Sequence, residues 1–111
     1  MHTQVIAKVP IEGFHFYPKA PHKVAFLEHK HRHTFFVTAA YDVTHNNREI
    51  EIFIARAKIA KHLDSLFGTP CDFENMSCEH IAEAVLDNGK ADGMCWVEVW
   101  EEDTGGARIT I

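Results

Sequence analysis

Residues His31–Thr44 read as one long β-strand that is apolar on both of its faces, and this constrains the fold more than any other segment. Side chains in a strand alternate between faces. One face carries His31, His33, Phe35, Val37, Ala39, Tyr41 and Val43, and the other carries Arg32, Thr34, Phe36, Thr38, Ala40, Asp42 and Thr44. Val97 and Val99 likewise oppose Trp96 and Trp100 in a second such strand from Cys95 to Glu102. The chain has 111 residues, enough for one domain and one core. Its two expected helices can cover only one face of a sheet. The other face needs a partner, and a homo-oligomer is the simplest one.

The remaining segments fill in around that strand. Val5–Phe16 alternates loosely and is expected to be a strand, bent or bulged near Gly13 and close to a sheet edge at Pro10. Tyr17–Lys30 is expected as a loop, because Pro18 and Pro21 argue against a regular element. His45, Asn46 and Asn47 signal a turn, and Arg48–Ile54 then reads as a hairpin partner. Ala55–Phe67 has a helical stripe of Ile59, Leu63, Leu66 and Phe67, ended by Gly68 and Pro70. Asn75 or Ser77 caps a second helix that runs to Asp87, with a stripe of Cys78, Ile81, Ala82 and Val85. Asp103–Gly106 turns the chain into a final strand, Ala107–Ile111. The order β-β-β-α-α-β-β predicts an α+β fold: an antiparallel sheet with two helices on one face.

Composition excludes several classes. The chain is 46% hydrophobic and 24% charged, as a globular protein is, with a net charge of −5. It has no basic run or basic helix face for nucleic acid. No apolar run approaches the roughly 20 residues of a membrane span, and the N-terminus lacks the apolar core of a signal peptide. Cys71, Cys78 and Cys95 are odd in number and widely spaced. They argue for reduced thiols and a cytoplasmic setting.

His31 and His33 stand side by side on one face at the start of the long strand. Imidazole is a preferred zinc ligand, and two imidazoles plus one further protein ligand leave a coordination position open. His15, His22, His29 or a carboxylate could be the third. His15 ends the first strand and reaches the pair if that strand lies beside His31. His22 sits in a flexible loop. His29 shares parity with the pair, but three alternate ligands string out along a strand rather than converge. His15 is preferred. Glu101 falls in line with Val97 and Val99 near a strand end, where a pocketed carboxylate needs donors. Adjacent N–H groups of a guanine-like or pterin edge would satisfy it; the alternative is a solvated strand end. A cupin would need a Glu a few residues beyond His33, where Phe35, Phe36 and Val37 stand. A histidine-triad hydrolase would need apolar residues in place of Lys30 and Arg32.

Taken together these motifs resemble the 6-pyruvoyl-tetrahydropterin synthase and 6-carboxy-tetrahydropterin synthase family of tunnelling-fold (T-fold) proteins. That family ends one strand in Ala-His and opens the next, about 15 residues on, with His-Gly-His; here His15 is followed by His31-Arg32-His33. Asn75–Glu79 is similar to the family's opening of its second helix. Val97–Glu102 followed by Ala107–Ile109 is similar to its C-terminal motif. The resemblance runs from about Val5 to Ile111. It implies zinc held by His15, His31 and His33, and a pterin-like ring anchored by Glu101 with Glu79 nearby. It also implies strand pairing into a trimeric barrel, two trimers stacked as a hexamer, and sites at subunit interfaces, with Glu101 approaching a neighbour's metal pocket. The implied activity is that of a zinc-dependent lyase on a dihydroneopterin triphosphate-like substrate, with Lys and Arg residues between Lys19 and Arg32 meeting the phosphates. The chain departs from the family where protons move. Leu27 stands in the place of the catalytic Cys, Arg32 in that of the middle Gly, and Asp64-Ser65 keeps the Asp of a catalytic Asp-His pair but not the His. Asp64 is thus a candidate catalytic residue, with Glu28, His29 or His62 as substitute bases. The alternative is a T-fold protein that binds a pterin or purine derivative without the lyase step.

Overall fold

The computed structural model describes residues 1–111. Its strands are β1 (Thr3–His15), β2 (His31–Val43), β3 (Cys71–Asp72), β4 (Met94–Glu101) and β5 (Gly105–Thr110), and its α-helices are α1 (Ile52–Phe67) and α2 (Cys78–Gly89). The strands form one sheet in the order β3-β1-β2-β4-β5. β1, β2, β4 and β5 are antiparallel neighbours, whereas β3 runs parallel to β1 through Gly13–Cys71 and Phe14–Asp72. The sheet is therefore mixed rather than wholly antiparallel. No helix is long and apolar enough to cross a membrane.

The α+β class and the two helices on one face are as expected. One buried cluster joins Ala7, Val9, Phe35, Val37, Ala39, Val97 and Val99 of the sheet to Ala55, Ile59 and Leu63 of α1 and Ile81, Ala82 and Val85 of α2. Leu66, expected on the buried stripe of α1, is instead 40% exposed. Ser77 caps α2, its hydroxyl accepting from the His80 N–H at 3.1 Å.

The expected strand at Arg48–Ile54 does not form. Both edges of β2 are already taken, by β1 and β4, so no partner is left for it. α1 instead starts at Ile52, capped by the Glu51 carboxylate, which accepts from the Ile54 N–H at 2.9 Å. Ile52, Phe53 and Ile54 are exposed. The alternation that suggested a strand belongs to a helix N-terminus. Likewise a short 3-10 segment, His22–Glu28, begins directly after Pro21 in the expected loop.

The expected irregularity at Gly13 is also absent. β1 pairs with β2 without interruption from Thr3–Val43 to His15–His31. The irregularity falls between β2 and β4 at Ala40/Tyr41. Because of it Met94 turns into the core, while Cys95, expected beside Val97, turns outward to Asp42 and the Ala40 carbonyl. Pro10 sits where expected: beyond the short β3 pairing, β1 has no strand on its outer edge.

The sheet face away from the helices is partly self-covered. The Arg108 guanidinium lies 4.1 Å over Trp96, whose indole N–H donates to Gln4 at 3.2 Å. Arg32 pairs with Glu12, and Arg108 with Glu98. Trp100 and Ile6 remain exposed.

Gly13 has a packing role instead of a bend. A Cβ there would lie 2.6 Å from the Phe73 ring and 2.9 Å from the Phe35 ring, both fully buried. Gly13→Ala should overpack this junction and destabilise the fold by about 1–3 kcal/mol. Urea unfolding checks this, and an unchanged midpoint would show that the two rings yield freely.

Candidate metal centre

The pairing of β1 with β2 places His15 opposite His31 and Gly13 opposite His33. The pairing of β2 with β4 places Glu101 opposite Phe35. His15, His31, His33 and Glu101 therefore extend the helix-covered face beyond Phe35, at one end of the sheet. The three imidazole rings meet edge to face, with centroids 4.5, 5.0 and 5.4 Å apart. One nitrogen from each lies within 4.8 Å of the others, so the three residues could hold a metal ion.

The rings of His15 and His31 are oriented through Nδ1. His15 Nδ1 lies 3.1 Å from the Met76 carbonyl, and His31 Nδ1 lies 2.8 Å from the His29 carbonyl. His33 Nδ1 lies 3.4 Å from a Glu102 carboxylate oxygen. A carbonyl accepts an N–H, so for His15 and His31 these partners assign the proton to Nδ1 and leave a lone pair on Nε2. Metal-binding histidines are held in this way. Nε2 of His15 and of His33 are buried and make no directed hydrogen bond. Buried nitrogens rarely stay unpaired, and a cation between them would satisfy both. The donor set fits a divalent metal that favours nitrogen ligands.

Glu101 stands beside the cluster. Its Oε1 lies 3.1 Å from His15 Nε2 and its Oε2 lies 3.6 Å from His33 Nε2. The first contact is close enough for charge to act but lacks hydrogen-bond alignment. Burial works against the charged form of His15, yet the carboxylate beside it and the Met76 carbonyl outweigh this and raise its pKa above the ordinary histidine value. His15 in turn lowers the pKa of Glu101, helped by the charges of His33 and His31, against the opposing effect of burial. The Cys78 thiol donates to Glu101 Oε1 over 3.9 Å. Burial first, then Glu101 and Glu79, push its pKa up to about 12. Cys78 is thus held protonated.

A cavity of about 540 Å³ opens beside the cluster, walled by the first turn of α2, by Tyr17 and Leu27, and by Gly105 and Gly106. Glu79 lines it, as expected, and Leu27 does too. Cys78 and His80 also line it. Sequence reasoning placed Cys78 only on the buried stripe of α2 and gave His80 no role. Ser77 signals where α2 begins, but nothing in the sequence says that this end overhangs the histidines.

Other sequence candidates lie elsewhere in the chain. His22 is not part of the nitrogen cluster. His29 contributes its carbonyl rather than its ring, and Glu28 is exposed. Asp64 accepts from the Thr69 hydroxyl at the far end of α1 and lines a separate cavity with Arg32. His62 is held by Asp92 and Asn88. No single chain brings Asp64 or His62 to the histidine cluster. Glu101, expected beside a neighbour's metal pocket, stands against the histidines of its own chain. No family model matches this chain, and no curated protein matches it.

The metal-free cluster should leave a mark on stability. His15 has a raised folded pKa, so its contribution is full below its unfolded value, near 6.5, and is lost as pH rises through the folded value. Glu101 has a lowered folded pKa, so its contribution is present above its unfolded value, near 4.5, and is lost as pH falls through the folded value. The pair should stabilise metal-free protein most between about pH 4.5 and 6.5. Thermal unfolding in chelator across this range should show the optimum, and Glu101→Gln should flatten it.

Proposed function

We propose that this protein is a zinc-dependent, pterin-synthase-like lyase acting on a dihydroneopterin triphosphate-like substrate. The observation that carries the reading is the convergence of three imidazoles on one point, two with buried Nε2 atoms lacking partners, beside a carboxylate at the edge of a ligand-sized cavity. His15, His31 and His33 would hold the zinc. Zinc, when bound, supplies Lewis acidity that polarises substrate hydroxyls and eases proton removal beside the forming carbonyl. Glu101 accepts the adjacent N–H groups of the ring, and the first turn of α2 forms the cavity wall against it. Lys19 and Lys23 are exposed, and Lys19 directly follows Pro18, which lines the cavity; these two would meet a phosphate chain. Lys30 and Arg32 are paired with Asp72 and Glu12.

A second reading is favoured by a specific observation. Leu27 walls the cavity where the family has its catalytic Cys, and it cannot transfer a proton. Asp64 is remote from the site. A protein of this kind would bind the pterin or purine derivative without breaking it down. Incubating zinc-loaded protein with dihydroneopterin triphosphate separates the readings. Triphosphate release above blank is expected for the lyase. Calorimetric binding without release supports the binder, and neither signal overturns both. Metal analysis should find one zinc per chain, and His31→Ala should abolish it.

Assembly belongs to the same proposal. Trp100 and Ile6 are exposed on the sheet face away from the helices, and β1 carries an unpaired edge. Burying a large apolar side chain is worth roughly 1.5–3 kcal/mol, so a few per subunit favour a closed ring. Light scattering should give a trimer or hexamer. A monodisperse monomer of 12.6 kDa that still binds metal and ligand would refute the ring.

A further inference from the structure

We propose that Gly105 determines what the cavity admits: its missing side chain leaves the space beside Glu101 into which a planar heterocycle fits. This rests on the ring-binding reading above and names the residue that sets the shape of that site.

Register puts the glycine there. β4 pairs with β5 through Val97–Ile109, Val99–Ala107 and Glu101–Gly105. Directly opposed residues of an antiparallel pair project to the same face. Ile109, Ala107 and Gly105 therefore follow one another along the helix-covered side, and the first two pack against the core. Side chains shrink stepwise along β5 toward the metal centre and vanish beside Glu101. Opposed residues hold their Cβ atoms about 4.5–5.5 Å apart, so any side chain at position 105 would stand against the flank of Glu101. Gly105 lines the cavity together with Glu101, His15 and His31. A Cβ built on it would meet nothing within 4 Å, so the space is open.

The fold does not call for this glycine. The turn between β4 and β5 has its left-handed residue at Glu102, with φ 53°, and Gly105 is outside that region. A glycine in a strand weakens it and marks a bulge, a tight bend, or the close approach of another backbone or a ligand. The β4–β5 register runs without a shift from Trp96–Thr110 to Glu101–Gly105, so there is no bulge. No backbone crowds Gly105 either. Its neighbour is the opposite case: a Cβ on Gly106 would fall against the Val99 carbonyl and lie 2.8 Å from Trp100 Cα. Gly106 lets β5 lie close to β4. For Gly105 a ligand is the remaining reason, and a ring that meets Glu101 edge-on needs the floor beside the carboxylate clear.

Neopterin, which carries the pterin ring edge and no phosphate, is the probe. Zinc-loaded wild type, Gly105→Ala, Gly105→Val and Gly106→Ala are titrated with it by fluorescence and unfolded in urea. Gly105→Ala should keep its zinc and unfold at the wild-type midpoint or above, because alanine restrains the unfolded chain. Its neopterin affinity should fall about tenfold and that of Gly105→Val about a hundredfold, the range that overpacking produces. Gly106→Ala should instead lower the urea midpoint. Equal neopterin affinity in wild type and both Gly105 variants would overturn the proposal. So would a midpoint for Gly105→Ala as low as that of Gly106→Ala, or loss of its zinc, because the glycine would then act through the fold or the metal centre. If Gly105→Val does not fold, the alanine variant decides. Wild type that does not bind neopterin sinks the ring-binding reading and the glycine's role with it, whereas variants that bind as wild type does sink the glycine's role alone.

Discussion

The unbroken register between β1 and β2 is the constraint on which the rest of the site depends. Thirteen consecutive residues of β1 pair with β2, from Thr3–Val43 to His15–His31. Strand side chains have a period of two, so a slip by one residue would turn His31 and His33 to the open face and bring Arg32 toward the core. The buried neighbours hold the register in place. Val9 lies opposite Val37, and Ala7 opposite Ala39, all beneath α1 and α2. The hydrophobic core thus aligns polar groups that lie outside it. His15 meets His31 because residues six and eight positions away on the same strand belong inside.

The cluster that results is costly unless something binds there. Three imidazoles and a carboxylate crowd one end of the sheet, with His15 nearly fully buried. Burying polar groups without partners is unfavourable, and two Nε2 lone pairs have none. Two remedies are open to the chain. A proton on His15 beside ionised Glu101 relieves part of the cost, which is why their pKa values move in opposite directions. A divalent cation relieves more, because it satisfies several lone pairs at once. The two compete for the same nitrogen, so metal affinity should weaken as pH falls through the histidine range.

Much of this was legible in the sequence because it depends on alternation. The parity of His31 and His33, and of Glu101 with Val97 and Val99, survives folding unchanged. So does the choice of His15 over His22, since strand ends are held and loops are not. Alternation fails where tertiary context competes with it. Arg48–Ile54 alternates as a strand does, but β2 has no free edge for it, and the Glu51 cap lets α1 begin early. Cys95 has the parity of Val97, yet it is the extra residue at the irregularity between Ala40 and Tyr41, which reverses it. Gly13 suggested a bend because glycine weakens strands, whereas its role is to make room for Phe35 and Phe73. The cavity wall was not legible, because the packing of α2 over β4 and β5 is a long-range contact with no local signature. Asp64 and His62 were drawn in by analogy of position, and the helix that carries them points them away.

The placement of the centre also separates stability from function. The apolar core ends at Phe35, whose ring packs edge-on against His15 and His33 on one side and against Phe73 on the other. Beyond it the helix-covered face of the sheet presents the three histidines and Glu101, walled by the cap of α2 and a 3-10 turn instead of by the body of a helix. These walls have few buried apolar contacts of their own: the 3-10 segment buries no residue at all. Segments of that kind open at lower cost than the core does. The Tyr17–Glu28 wall is held by surface contacts, among them the Tyr17 N–H donating to the Leu27 carbonyl at 2.8 Å, whereas the β1–β2 register is held by the core. The histidines keep their geometry because they stand on paired strands.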